Sequence, residues 1–303
     1  MIQKGLPPTR IKKPGKPIGS RFQGLDAVIL VILALYVLAV AFPFYYAFIV
    51  SISSEHAYLN ADMLLWPQEV TIDAYSAVFT NEAMWNGLGI TMILLIGGTA
   101  YQLFFTVITG YALSRDNWFG KNFIMNMIIV TMFFGGGLVP YYYLINSLGL
   151  YNTIWVMIIP GAIDTFNMLL IRNYFASLPK ELEESARIDG ANDFQIFAKV
   201  YLPLSLPMLA TIGLFFAVGN WNSWYNGMLF IEKSNLKPLQ LVLREMIAVM
   251  KTSTIEKTSD QTTTYSEGLV MASIFFTIVP MMTFYPFLQR FFVKGIVVGA
   301  IKG

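Results

Sequence analysis

The 303-residue chain has no cysteine and a single histidine, His56. That excludes disulfides, thiolate metal sites, cysteine nucleophiles and multi-histidine metal centres. Charge is scarce too. Asp, Glu, Lys and Arg make up 13% of the residues, against about 25% in a typical soluble domain. No G-x-x-x-x-G-K-[ST] loop occurs, because Gly120-Lys121 is followed by Asn122 and Gly15-Lys16 by Pro17. The chain therefore cannot cradle ATP in the P-loop manner. Neither metal-ligand spacing nor a nucleophile elbow is present, so the chain is not expected to be an enzyme, to bind a metal or cofactor, or to bind nucleic acid. No convincing internal repeat is visible, which counts against an inverted-repeat secondary carrier.

What fills the chain is apolar sequence, 56% of the residues. This composition reads as an all-α integral membrane protein. Six runs are long enough to cross about 30 Å of hydrocarbon: 25–50, 87–113, 122–145, 151–175, 201–230 and 268–292. The first is too long for the apolar core of a signal peptide and lacks a small-residue cleavage site after it. The segments between the runs differ in charge. Residues 1–24 form a basic tail with Lys4, Arg10, Lys12, Lys13, Lys16 and Arg21 and no acid. Residues 51–86 carry Glu55, Asp62, Glu69, Asp73 and Glu82 with no Lys or Arg. Arg115, Asp116 and Lys121 lie in a short connection. The 231–267 loop mixes five basic with five acidic residues, and residues 293–303 form a short tail. If both termini are cytoplasmic, fifteen of the 20 Lys and Arg fall on the cytoplasmic side, as the positive-inside rule requires. Gly135-Gly136-Gly137 with Pro140, Pro160-Gly161 and Pro280 predict kinks in spans three, four and six.

The longest polar stretch, 178–203, reads LPKELEESARIDGANDFQIFAKVYLP and falls on the cytoplasmic side. Pro179 suits the first turn of a helix. Glu181, Glu183 and Glu184 place negative charge at its positive end. Gly190 ends it, and Asn192 or Asp193 can cap a second helix. In so apolar a chain, such a segment is expected to dock something.

Two other features bear on function. Asp164 lies midway along the fourth apolar run, where a carboxylate costs about 2.5–3.5 kcal/mol on insertion scales. It is either a structural hydrogen-bond partner of a neighbouring helix or a member of a transport path. Asn220, Trp221, Trp224 and Asn226 interleave amides with aromatics at the outer end of span five. They suit a solute with flat apolar faces and hydroxyls, such as a sugar ring. The alternative for Trp224 and Tyr225 is the aromatic belt at the headgroups, which is the favoured reading of Tyr141-Tyr142-Tyr143. His56 reads as a solvated loop residue.

The 178–203 stretch carries Glu184-Ser185-Ala186, then Gly190, then Val200 and Leu202-Pro203. This spacing resembles the EAA loop of the transmembrane subunits of bacterial binding-protein-dependent ABC importers. Ser185 stands for the usual second Ala and Val200 for the usual Ile. ELEESARIDGA, Gly135-Gly136-Gly137, Leu148 to Thr153, and Gln289-Arg290 through Lys302-Gly303 are similar to the carbohydrate-uptake branch. There the likeness is to the maltose-permease G type, and further to permeases for complex oligosaccharides, including the lipoprotein-operon C type and those for alginate or pectin fragments.

The resemblance implies a type I importer permease fold of six transmembrane helices, in a bacterial cytoplasmic membrane with both termini cytoplasmic. It implies that the EAA loop is a coupling helix seated in a cleft of a separate homodimeric or heterodimeric ATPase, which binds ATP and Mg. Glu183, Glu184, Ala186, Asp189 and Gly190 would be the docking positions. A second homologous permease would complete the path, and an external solute-binding protein would deliver the oligosaccharide. The 231–267 loop would reach toward that binding protein, and the tail after Arg290 would contact the ATPase. Three rivals stay open on the residues alone: a proton-coupled carrier using Asp164, a non-transporting scaffold, and a permease for another polyol such as glycerol phosphate.

Overall fold

The structure, a computed structural model, describes residues 24–115, 119–255 and 267–300, with side chains at 26–115, 119–250 and 267–283. The basic tail, Asp116, the acids Glu256 and Asp260, and Lys302-Gly303 lie outside the described residues. Regular structure among the described residues is helical, apart from one antiparallel bridge between Ser53 and Val70. The chain divides after Ala47. The first unit is described only in helix α1 (Gly24–Ser51), an apolar rod whose side chains from Asp26 to Tyr45 are exposed.

The second unit starts at Phe48. Two short helices, α2 (Glu55–Asn60) and α3 (Asp73–Thr80), occupy a stretch that looks like loop in the sequence. His56 is exposed there, 3.3 Å from Glu69. Asn81 caps α4 (Glu82–Ile93) through the Ala83 N–H. A π-turn, Leu94–Gly98, then joins α4 to α5 (Thr99–Ser114), giving a 33-residue rod.

The next three apolar runs are broken rods. Helix α6 (Lys121–Phe133) stops before the triple glycine, and Gly137, at φ +84°, starts α7 (Leu138–Ser147) at 119° to it. Only glycine takes that backbone conformation at no steric cost. Helix α8 (Trp155–Ile158) passes through a 3-10 turn at Pro160 into α9 (Thr165–Ser177), bent by 43°. After the polar helices α10 (Lys180–Ile188) and α11 (Asp193–Ile196), a π-turn leads into α12 (Leu202–Leu204). Helix α13 (Leu206–Trp221) leaves at 79°. The sequence reading carries span five without a break from Tyr201 to Phe230. Instead, Pro203 and Pro207 flank a corner at Ser205 and remove two helical N–H donors. Past Trp221 the chain re-forms as α14 (Tyr225–Phe230). Helix α15 (Leu239–Ile255) forms within the 231–267 loop, and α16 (Glu267–Ala300) runs through Pro280 without a break. Losing one ladder bond at Pro280 does not end a 34-residue helix.

Three buried clusters tie the second unit together. One gathers Ile90, Leu94, Ile145, Val156 and Phe230. Another gathers Val78, Met84, Leu239, Met246 and Ala272. The third gathers Val107, Ile171, Phe175, Ile196, Tyr201, Ile212 and Phe216, beside the polar stretch. Tyr141 and Tyr142 pack on Phe230, at 5.5 and 5.7 Å between ring centroids; Tyr141 is half-buried, while Tyr142 and Tyr143 stay exposed.

Helices α5 and α9 approach closely at Gly110. A Cβ there would sit 2.8 Å from Ile171 Cγ2 and 3.3 Å from the Arg172 nitrogen. Gly110→Val is expected to lower stability by about 1–3 kcal/mol through overpacking, read as a lower unfolding midpoint in detergent. Gly89→Ala, whose Cβ meets nothing within 4 Å, is expected to be neutral or to stabilise by about 0.5–1 kcal/mol. Equal loss in both variants would contradict the packing account.

Candidate functional site

The polar stretch folds as its sequence chemistry directs. Pro179 is the residue before α10 rather than its first turn, a shift of one position. The helix ends in a Schellman corner. The Ala191 N–H donates to the Ala186 carbonyl (2.9 Å), the Gly190 N–H donates to Arg187 (3.0 Å), and Gly190 sits at φ +83°. These are the bonds that satisfy the orphan carbonyls of a helix end. Two residues later a capping box starts α11. Gln195 N–H donates to Asn192 Oδ1 (2.9 Å), and Asn192 N–H donates to Gln195 Oε1 (3.0 Å). Of the two predicted caps, Asn192 does the capping. Asp193 instead accepts from Arg187 Nη2 at 2.6 Å.

Glu183 is the hub of the stretch. Its Oε2 pairs with Arg115 at the end of α5 and accepts from the Tyr201 hydroxyl at 3.1 Å. Its Oε1 accepts from Arg187 Nη2 at 3.0 Å. Arg115 also donates to Tyr201 (2.6 Å) and lies over that ring, 4.3 Å from its centroid. The Glu183 side chain is only 18% exposed. Burial pushes its carboxyl up, but the hydrogen bonds from Arg187 and Tyr201 and the Arg115 charge outweigh it and hold the group below its usual value. Beside the hub opens a cleft of about 730 Å³, lined among others by Tyr111, Arg115, Phe175, Glu183 and Glu184.

The five predicted docking residues divide into two sets. Glu184, Asp189 and Gly190 face outward. Glu183 turns in toward Arg115, and Ala186 packs against the third cluster. The sequence reading passed over two residues that flank the glycine corner, Ile188 and Phe194, which are 86% and 75% exposed. The available signal was two large apolar side chains in an otherwise polar run. It also passed over the Arg115–Glu183–Tyr201 contact.

At the other end of α13, the predicted path residues separate. Asn220 is buried, and its amide donates to Gln102 Oε1 (2.9 Å) and Thr99 Oγ1 (3.1 Å). It lies against the π-turn at Gly98, where a Cβ would come within 3.1 Å of its amide nitrogen. Trp221 is buried as well. Asn226 is half-buried, with its amide 3.5 Å from the Val156 carbonyl. Trp224 is half-buried and borders a groove along α15. Asp164 is exposed in the break of span four, where its Oδ1 caps α9 by accepting from Asn167 N–H (2.8 Å). The mid-run carboxylate is thus at a helix N-terminus, where a negative charge is favoured. Asp164 and Asn220 share no hydrogen bond.

Comparison with known proteins decides the family. Residues 102–298 match the model of the binding-protein-dependent transport system inner membrane component. The chain belongs to this family. The matched span takes in the whole glycine-cornered stretch, α10 to α13. The protein is therefore a membrane component of an ABC transport system, and ATP hydrolysis belongs to another subunit. It is 38% identical to Protein LplC of Bacillus subtilis (strain 168) over 86% of this chain and 89% of that one. It is 33% identical to the polygalacturonan/rhamnogalacturonan transport system permease protein YtcP of the same organism, over 92% and 98%. A chain in the crystal structure of a bacterial ABC transporter involved in the import of the acidic polysaccharide alginate shares the fold. The TM-score is 0.82 at 32% identity, covering 91% of this chain and 100% of that one.

The depressed Glu183 carboxyl has a pH consequence. A folded-state value below the ordinary 4.5 means that the group contributes stability fully above about pH 4.5, and that this contribution is lost as pH falls toward the folded value. The unfolding midpoint of the purified chain should drop across that acidic window. Glu183→Gln should lower it at pH 7 and flatten the drop. An unchanged acid profile in Glu183→Gln would contradict the hub.

Proposed function

We propose that this chain is the transmembrane subunit of an ATP-driven oligosaccharide importer and forms half of its translocation path. A second, homologous permease supplies the other half. An external binding protein delivers the sugar, and a separate ATPase, homodimeric or heterodimeric, binds ATP and Mg. The sugar assignment rests on the relatives, whose names refer to polysaccharide transport. Six crossings follow if α1, the Glu82–Ser114 rod, each of the three bent pairs and α16 count as one span each. The distribution of Lys and Arg supports cytoplasmic termini and a cytoplasmic α10–α11 corner.

One observation carries the coupling role. The Schellman corner at Gly190 presents Ile188 and Phe194 to solvent beside the outward carboxylates of Glu184 and Asp189. Burying each apolar side chain against a partner is worth about 1.5–3 kcal/mol, and the carboxylates would pair with basic groups around such a contact. Closure of the ATPase around ATP would push this corner. The Glu183–Arg115 pair would carry the displacement into α5, and the covalent path through Tyr201 would carry it into α13. Ala186 supports the corner from inside. Asp164, Asn220 and Trp221 fit a role in shaping the break and the wall of the path. Trp224 and Asn226, both half-buried, would meet the solute.

Gly190→Pro tests the assignment. Proline cannot reach φ +83° and lacks the N–H that bonds Arg187. The expected outcome in reconstituted transporter is normal insertion and assembly, with substrate-stimulated ATP hydrolysis and uptake both lost. Normal uptake would contradict the coupling corner.

A further inference from the structure

Helix α15 presents a stripe at helical spacing, Gln240, Leu243, Arg244, Ile247 and Ala248, which with Trp224 lines a groove of about 410 Å³. That volume lies within the range of small-molecule pockets, about 300–1,000 Å³. The Arg244 guanidinium carbon lies over the Trp224 indole, 4.0 Å from the ring centroid. No carboxylate lies within ion-pair distance of Arg244 among the described residues. Its neighbour Glu245 is engaged instead by Lys237, at 2.7 and 2.9 Å. Arg244 stays exposed despite this contact, and its N–H donors form a planar fork. One turn earlier the Gln240 amide reaches toward Asn222 Oδ1 at 3.5 Å, which places amide donors and acceptors at the same groove.

We infer that this groove is a uronide subsite: Arg244, held by Trp224, binds the carboxylate of an acidic sugar residue, while Gln240 and Asn222 meet its hydroxyls. The inference rests on the oligosaccharide reading above and adds the charge of the sugar to it. A planar guanidinium fork matches a carboxylate bidentately. The apolar floor of Leu243, Ile247 and Ala248 suits the C–H face of a pyranose. A neutral sugar would leave the guanidinium edge unmatched. A carboxylate could also come from the binding protein docking on this face, and the test separates the two sources.

The test uses the assembled transporter in proteoliposomes with its binding protein. The probes are trigalacturonate, trimannuronate and neutral galactotriose. Wild type is expected to take up an acidic trimer in preference to the neutral one. Arg244→Gln should raise the KM for the acidic trimer about tenfold, the scale of a lost charge-assisted hydrogen bond, and leave neutral uptake and the unfolding midpoint unchanged. Trp224→Leu should weaken uptake of the acidic trimer in the same direction. If Arg244→Gln weakens acidic and neutral uptake equally, the arginine serves the binding-protein contact or the fold, and the subsite is overturned. Uptake of the neutral trimer alone by wild type would overturn it while leaving the sugar permease intact. Failure of wild type to take up any oligosaccharide would overturn both readings.

Discussion

The Glu183 carboxylate, held between Arg115 and Arg187 and hydrogen-bonded by Tyr201, is the contact on which the polar face of this protein depends. It joins three parts of the chain that no apolar cluster could fix as closely: the end of α5, the acidic helix α10 and the π-turn ahead of α12. Ion pairs taken out of water seldom add net stability compared with apolar packing. What this one adds is direction. A patch of leucines would let α10 roll against α5, whereas a carboxylate with a partner for each oxygen holds one orientation. That orientation points Ile188 and Phe194 away from the protein while Ala186 packs inward.

A second constraint acts where the apolar runs break. A helix that ends among apolar neighbours leaves N–H and C=O groups without partners, and several helix starts here are given a side-chain replacement, although the Ser205 corner is not. Asp164 caps α9, Asn192 and Gln195 cap α11, and Gly137 and Gly190 take up positive φ where the chain must turn. At the π-turn of the long rod, the widened backbone and Gly98 make room for the buried Asn220 amide, which cross-links α13 to Gln102 and Thr99. The polar residues that looked out of place in apolar sequence are therefore spent largely on closing the fold. In the proposed importer, these same breaks are where the path would bend.

How much of this the sequence disclosed follows from the range of each interaction. The Gly190 corner and the Asn192 cap were legible because backbone chemistry over five residues determines them. The Glu183–Arg115 pair was not, since its partners are 68 residues apart and a side chain's facing cannot be read from spacing alone. Asp164 looked costly because run length says how much apolar sequence exists, not whether one helix carries it. The Ser205 corner had a signal in Pro203 and Pro207, but a continuous apolar run masked it. Asn220 looked like a solute contact because an amide beside tryptophan suits both sugar and helix packing, and only the position of Gly98 distinguishes them. Arg244 looked like a mixed-loop charge until α15 laid it over Trp224.

The central claim is that the Gly190 corner seats in an ATPase. The chain has no cysteine, so Ile188→Cys or Phe194→Cys introduces a unique thiol for a photo-activated cross-linker. In membranes co-expressing the ATPase subunit, both variants should give a light-dependent adduct with that subunit, and Tyr143→Cys should give none. Failure of both corner positions to form the ATPase adduct, in a complex that still purifies intact, would contradict the account.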